Sequence, residues 1–268
     1  MSTSTASAIS SSPAALPLDQ QVVLVTGAGR GLGASLARAF LSAGARVVVN
    51  YRHSADAANA LAAEVPERAL AVQADVCDAD AVKAMLATAR EHFGAPVTTV
   101  INNALPDFSF NGDARPSPDT LTWEHLEQQF KGVNQGALNA IQAALPGMRE
   151  QGFGRIVNVG TNLFQNPIVP YHDYTAGKAA LLALTRTFSH DLGPDNITVN
   201  MISGGLLRTT DASAATPDAV FDLIAANTPL RRVVTPEEFA DAALMFASPW
   251  GRAITGQNLV VDGGLVKD

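Results

Sequence analysis

The chain has little cysteine, few aromatic side chains and no surplus of positive charge. A single cysteine, Cys77, among 268 residues cannot close an internal disulfide, so the expected compartment is a reducing one, the cytoplasm. With 18 Lys and Arg against 25 Asp and Glu and a net charge of -7, no basic stripe is available for a phosphate backbone, which argues against nucleic acid as a partner. No apolar run approaches the roughly 20 residues that span a bilayer, and no membrane partner is expected. The five histidines, His53, His92, His125, His172 and His190, lack metal-ligand spacing, so no catalytic metal is expected. Internal repeats are absent as well. What remains is a chain with 47% hydrophobic residues and 21 glycines, the composition of a globular enzyme and a length that one large α/β domain can take.

Residues 1–18 are mostly Ser, Thr, Ala and Pro, without the basic and apolar regions of a signal peptide, and read as an unstructured tail. Order is expected from residue 19 to residue 268. It opens with Val22-Val23-Leu24-Val25-Thr26, a β-branched run suited to a strand buried on both faces. Gly27-Ala28-Gly29-Arg30-Gly31-Leu32-Gly33 follows, then Ala34 to Leu41 with helical apolar spacing. Strand, glycine turn and helix form the sequence of elements that a dinucleotide phosphate requires. The glycines admit close backbone approach, and the helix start offers free N–H groups. At the end of the next strand, where a carboxylate would take the ribose 2′-hydroxyl of NAD, stand Asn50, Tyr51 and Arg52. Arg30 and Arg52 suit a 2′-phosphate through their bidentate forks, so NADP(H) is the expected cofactor.

Tyr174-Thr175-Ala176-Gly177-Lys178 puts a phenol and an ammonium one helical turn apart on one face. A tyrosine exchanging protons near neutrality needs a positive charge to favour its phenolate, and Lys178 is the expected source. The Thr-Gly-x-x-x-Gly-x-Gly turn of residues 26–33, together with Tyr174 and Lys178, resembles the short-chain dehydrogenase/reductase family, and within it the 3-oxoacyl-(acyl-carrier-protein) reductase-like members.

The resemblance implies a single-domain Rossmann-type doubly wound sheet of about seven parallel strands with helices on both faces. It implies Asp75 and Val76 at the adenine, Asn103 and Ala104 along the cofactor, and Leu206 and Thr209 near the nicotinamide. Thr161 takes the place of the serine that hydrogen-bonds the substrate carbonyl. In a helix expected to begin around Asp119, Gln129 aligns with an asparagine whose backbone bends the helix and holds a water on the proton path. Leu105 stands for a turn glycine and Gly204 for a proline. A substrate lid is expected around residues 206–229, a pocket is expected from Phe108, Phe110, Leu163, Phe164, Leu206 and Leu207, and a homo-oligomer, tetramer or dimer, is implied.

The expected reaction is NADPH-dependent reduction of a ketone or β-keto carbonyl. Tyr174 would be the proton donor, and acyl thioesters are among the substrates. If an acyl-carrier protein brings them, Arg115 and Arg208 are candidates to contact it. Two other readings stay open: a catalytically weak NADP-binding regulatory or scaffold protein, and an alcohol dehydrogenase acting oxidatively.

Overall fold

Alternating side chains of short, β-branched strands feed two cores. On β1 (Val22–Val25), Val23 and Val25 join Leu36, Phe40, Phe239 and Phe246 on one face, while Val22 and Leu24 join Met85, Ile141, Met148 and Val199 on the other. That is the period-two pattern of a strand buried on both sides. The computed structural model describes residues 15–267 apart from residues 106, 107, 109, 112, 113, 211, 212 and 215.

Seven parallel strands lie in the order β3-β2-β1-β4-β5-β6-β7. The others are β2 (Arg46–Tyr51), β3 (Ala69–Gln73), β4 (Thr99–Asn102), β5 (Gly154–Thr161), β6 (Ile197–Gly204) and β7 (Asn258–Val261). The doubly wound α/β sheet expected from the sequence is therefore present. Strand order reverses between β1 and β4, and the crevice beyond their carboxyl ends is where open α/β sheets bind ligands.

Helices α1 (Gly31–Ser42) and α8 (Pro236–Ala247) cover one face, and α3 (Ala79–Phe93) and α5 (Gly136–Gln151) cover the other. The remaining helices are α2 (Ala55–Glu64), α4 (Trp123–Gln129), α6 (His172–Leu192) and α7 (Asp218–Asn227). Local chemistry sets their ends. Asp78 caps α3 by accepting from the N–H groups of Asp80 and Ala81, and Thr235 with Glu238 forms the capping box of α8.

Three expectations change. The helix expected from Asp119 begins at Trp123, because Thr122 and His125 close a capping box there, and Trp123 is exposed. It is also not one regular helix: a π-helical stretch, Phe130–Gln135, separates α4 from α5. Finally, residues 15–18 belong to the fold rather than to a tail. Leu18 packs against the core, and the buried Gln21 amide donates to the carbonyls of Leu16 and Ala247. The rest of the expected tail, residues 1–14, lies outside the described residues.

Candidate active site

The glycine turn is tied down from three sides. The Thr26 hydroxyl accepts from the N–H groups of Asn103 (2.9 Å) and Ala104 (3.0 Å) and donates to the Ile101 carbonyl, locking the end of β1 to the end of β4. The Asn103 amide donates to the carbonyls of Thr26 and Gly27. The buried Asn50 amide accepts from the Gly27 N–H at 3.1 Å and donates to the Ala74 carbonyl at 3.0 Å. Asn50 thus shapes the cradle with both ends of its amide.

Two glycines are required here. Gly27 has φ +63°, and a Cβ on Gly33 would lie 2.2 Å from the Gly27 carbonyl oxygen. Arg30, the residue before α1, makes no side-chain cap, so the helix start faces the crevice with its N–H groups open.

The crevice encloses about 1860 Å³ and runs from this turn to α6 and α7. It is lined by Gly27, Arg30, Gly31, Leu32 and Gly33, by Asn50, Tyr51 and Arg52 from the end of β2, and by Asp75, Val76, Asn103 and Ala104. At its other end it is lined by Thr161, Tyr174, Lys178 and Leu206. Arg52 lies 3.7 Å from the Asp75 carboxylate and donates to His53 at 2.7 Å. Both pairs are solvent-accessible and cost little to exchange.

Tyr174 is 8% exposed and Lys178 is 3% exposed. The Lys178 ammonium donates to the Val159 carbonyl at 2.7 Å and lies 5.9 Å from the Tyr174 ring centroid. Burial pulls the Lys178 ammonium down to about 8. Burial also pushes the Tyr174 phenol up to about 12, against a lowering hydrogen bond from Thr161. Among the causes acting on the phenol, loss of solvent around the ring is the largest.

Two expected site residues lie outside the crevice lining. Gln129 is buried outside the crevice lining, and its side-chain oxygen has no hydrogen-bond partner. Asn134, inside the π-helical stretch, donates instead to the Gly177 carbonyl at 3.0 Å, on the turn that joins Tyr174 to Lys178. Thr209 is exposed and outside the lining, while Thr210 lines it.

The departures at Leu105 and Gly204 are accommodated. Among the described residues only Asn196 and Arg231 combine a side chain with positive φ, so Leu105 has no left-handed backbone to sustain. A Cβ at Gly204 would meet the Phe239 ring at 2.9 Å.

Phe108 and Phe110 line the crevice and pack on Tyr174, with centroids at 5.1 Å and 5.5 Å. Leu163, Leu206 and Leu207 also line it, but Phe164 packs into a small core with Val133 and Leu181. Residues 106, 107, 109, 112 and 113 of the chain between β4 and α4, and 211, 212 and 215 of the expected lid, lie outside the described residues. The rest of the lid segment contributes Val220, Leu223 and Ile224 from α7. Arg115 turns inward to Asp173, and Arg208 pairs with Asp218 at 2.8 Å, so both guanidiniums are engaged within the chain.

A family model described as enoyl-(acyl carrier protein) reductase matches residues 27–266. Versicolorin reductase stcU of Emericella nidulans is 32% identical over 262 residues, covering 92% of this chain and 96% of that protein. The chain belongs to the short-chain dehydrogenase/reductase family. Another relative is 3-oxoacyl-[acyl-carrier-protein] reductase FabG of Staphylococcus aureus, 32% identical over 249 residues, covering 90% of this chain and 96% of that one. Among solved structures, a mutant short-chain dehydrogenase/reductase of Serratia marcescens superposes with TM-score 0.81 at 31% identity, covering 93% of this chain and 99% of that one.

Membership in the short-chain dehydrogenase/reductase family makes the protein an oxidoreductase of a class that uses nicotinamide cofactors. The cradle a Gly33 Cβ would fill and the open N–H groups of α1 fit such a group. Among the described residues no cluster of His, Cys, Asp or Glu suited to a metal occurs, and no helix is long and apolar enough to cross a membrane.

Proposed function

We propose that the protein is an NADPH-dependent reductase that turns a ketone or β-keto carbonyl into an alcohol. The observation that carries this reading is the convergence of Tyr174, Lys178 and Thr161 on the crevice into which the glycine cradle opens. A nicotinamide bound there would supply a hydride for the carbonyl carbon. Gly27, Arg30, Gly31, Leu32 and Gly33 would hold the pyrophosphate, and Arg30 and Arg52 the 2′-phosphate. Tyr51, Asp75 and Val76 would border the adenosine. Asn103, Ala104, Leu206 and Thr210 would border the nicotinamide half.

Tyr174 donates its proton to the carbonyl oxygen as negative charge develops there. A phenol held near 12 by burial stays protonated at neutral pH, as an acid must. Thr161 hydrogen-bonds Tyr174 and is in place to stabilise the same oxygen. Lys178, held by the Val159 carbonyl, presents its remaining protons to ribose hydroxyls. Asn134 fixes the Gly177 turn between the two.

The mouth of the crevice carries exposed Ile168 and Leu223, which favours an apolar substrate body; acyl thioesters and β-keto esters fit. A cytoplasmic location and a homo-oligomer, tetramer or dimer, belong to the same reading.

The test is NADPH oxidation by the purified protein against β-keto esters, 3-oxoacyl and enoyl thioesters and diketones, with NADH in parallel. Turnover of a carbonyl substrate with NADPH, with Arg52→Ala raising the KM for NADPH about tenfold and leaving that for NADH unchanged, is the expected result. Turnover of the enoyl thioester alone, or equal rates with the two cofactors, would overturn it.

A further inference from the structure

Asp173 immediately precedes Tyr174 and is 3% exposed. A carboxylate there is costly unless paired. Its partner is Arg115, from the chain between β4 and α4. The pair is incompletely satisfied, since Asp173 Oδ1 and Arg115 Nε are both buried without hydrogen-bond partners. A pair of this kind gives poor return as a fastener, and α6 is already held at this turn by Lys178 to Val159 and by Asn134 to Gly177.

What the pair does fix is a ring. The Arg115 guanidinium lies 4.1 Å from the Phe108 centroid, and Phe108 lies 5.1 Å from Tyr174. Phe110 and Tyr171 complete the cluster, at 4.8 Å and 5.5 Å from Phe108. The path from Asp173 through Arg115 and Phe108 ends on Tyr174, the next residue along α6. We propose that Arg115 and Asp173 are positioning residues that, through Phe108, hold an aromatic cover on the Tyr174 ring and so limit the water and the substrate bulk that reach it.

The other groups facing Tyr174 are Lys178 from α6, Thr161 from β5 and Tyr171. Of these, Tyr171 belongs to the aromatic cluster and also feels the Arg115 charge, which partly offsets the rise that burial gives its phenol. Burial is the largest cause raising the Tyr174 phenol, so the cover has a spectroscopic consequence that needs no substrate.

The experiment compares ultraviolet phenolate titrations of Arg115→Gln, Asp173→Asn, Phe108→Ala and the Arg115→Gln/Asp173→Asn double variant. Each is measured against the same background carrying Tyr174→Phe, which isolates the Tyr174 signal. The double variant leaves no buried charge unpaired, so it reports even where a single variant unfolds. In the folded variants Tyr174 should titrate at lower pH than in the parent, and adding Phe108→Ala to Arg115→Gln should bring little further shift. An unchanged Tyr174 titration in Arg115→Gln or the double variant overturns the proposal, as does full additivity with Phe108→Ala.

A second arm rests on the carbonyl-reductase reading: kcat/KM for a bulky ketone relative to a compact one should rise about tenfold in Arg115→Gln. Parallel loss on both substrates would mean a merely structural role. If the parent reduces no carbonyl, the reductase reading fails while the titration still decides the cover.

Discussion

Replacing Thr26 by valine keeps the volume and removes one oxygen. That oxygen is buried, accepts from the Asn103 and Ala104 N–H groups at 2.9 Å and 3.0 Å, and donates to the Ile101 carbonyl. Leaving a buried donor unmade costs about 1–3 kcal/mol. Asn103 and Ala104 are half-buried, so water compensates in part and the two together are expected to cost about 2–3 kcal/mol. At roughly 2–4 °C per kcal/mol for a chain of this size, the melting temperature should fall by about 4–12 °C. Serine keeps the hydroxyl and loses one methyl, about 1 kcal/mol, and should lie near the parent. NADPH affinity should fall in the valine variant beyond the serine variant, since Asn103 also supports the Gly27 carbonyl. Calorimetric melting with and without NADPH measures both effects. A valine variant melting within about 1 °C of the parent, or a serine variant equally damaged, would refute the reasoning.

Other outcomes follow from the same geometry. Gly33→Ala places a Cβ 2.2 Å from the Gly27 oxygen and 2.7 Å from the Asn103 amide, and should abolish NADPH binding in a fluorescence titration. Asn134→Ala removes the bond to Gly177; kcat should fall about tenfold with the NADPH Kd unchanged, and a kcat equal to the parent's would return attention to Gln129. Reduction should slow as pH rises through about 8, where Lys178 loses its proton, rather than near 12, where Tyr174 does; a profile flat to pH 10 would contradict this. Stability carries the opposite sign. Between about 8 and the ordinary 10.5, the unfolded chain binds the lysine proton and the folded one does not, so the contribution of Lys178 rises with pH across that window. Denaturant titrations of the parent and Lys178→Met at several pH values measure it.

Much of the fold was legible because its signals are local. The run Val22–Val25 and the glycine turn read as strand, cradle and helix from a few residues each. Errors arose where a signal depends on counting through irregular backbone or on neighbours distant in sequence. Gln129 rests on aligning this helix with the family's, and that alignment carries no signal that the stretch from Phe130 to Gln135 is π-helical. Asn134, within that stretch, is the residue whose amide reaches the Gly177 carbonyl. Thr209 and Thr210 are adjacent, and spacing alone does not say which of them lines the crevice. Four residues of spacing between Tyr174 and Lys178 say nothing of how deeply the phenol is buried, and burial is the largest cause acting on it. The pairing of Arg115 with Asp173 crosses 58 residues, and no local pattern in either segment announces it.

The most direct measurement supplies the protein with NADPH carrying deuterium at the transferred position and a β-keto ester, and follows the product by mass spectrometry. The account predicts an alcohol bearing one carbon-bound deuterium, formed by the parent and lost in Tyr174→Phe. Product without deuterium, or labelled alcohol formed equally well by Tyr174→Phe, would contradict hydride transfer with Tyr174 as the proton donor.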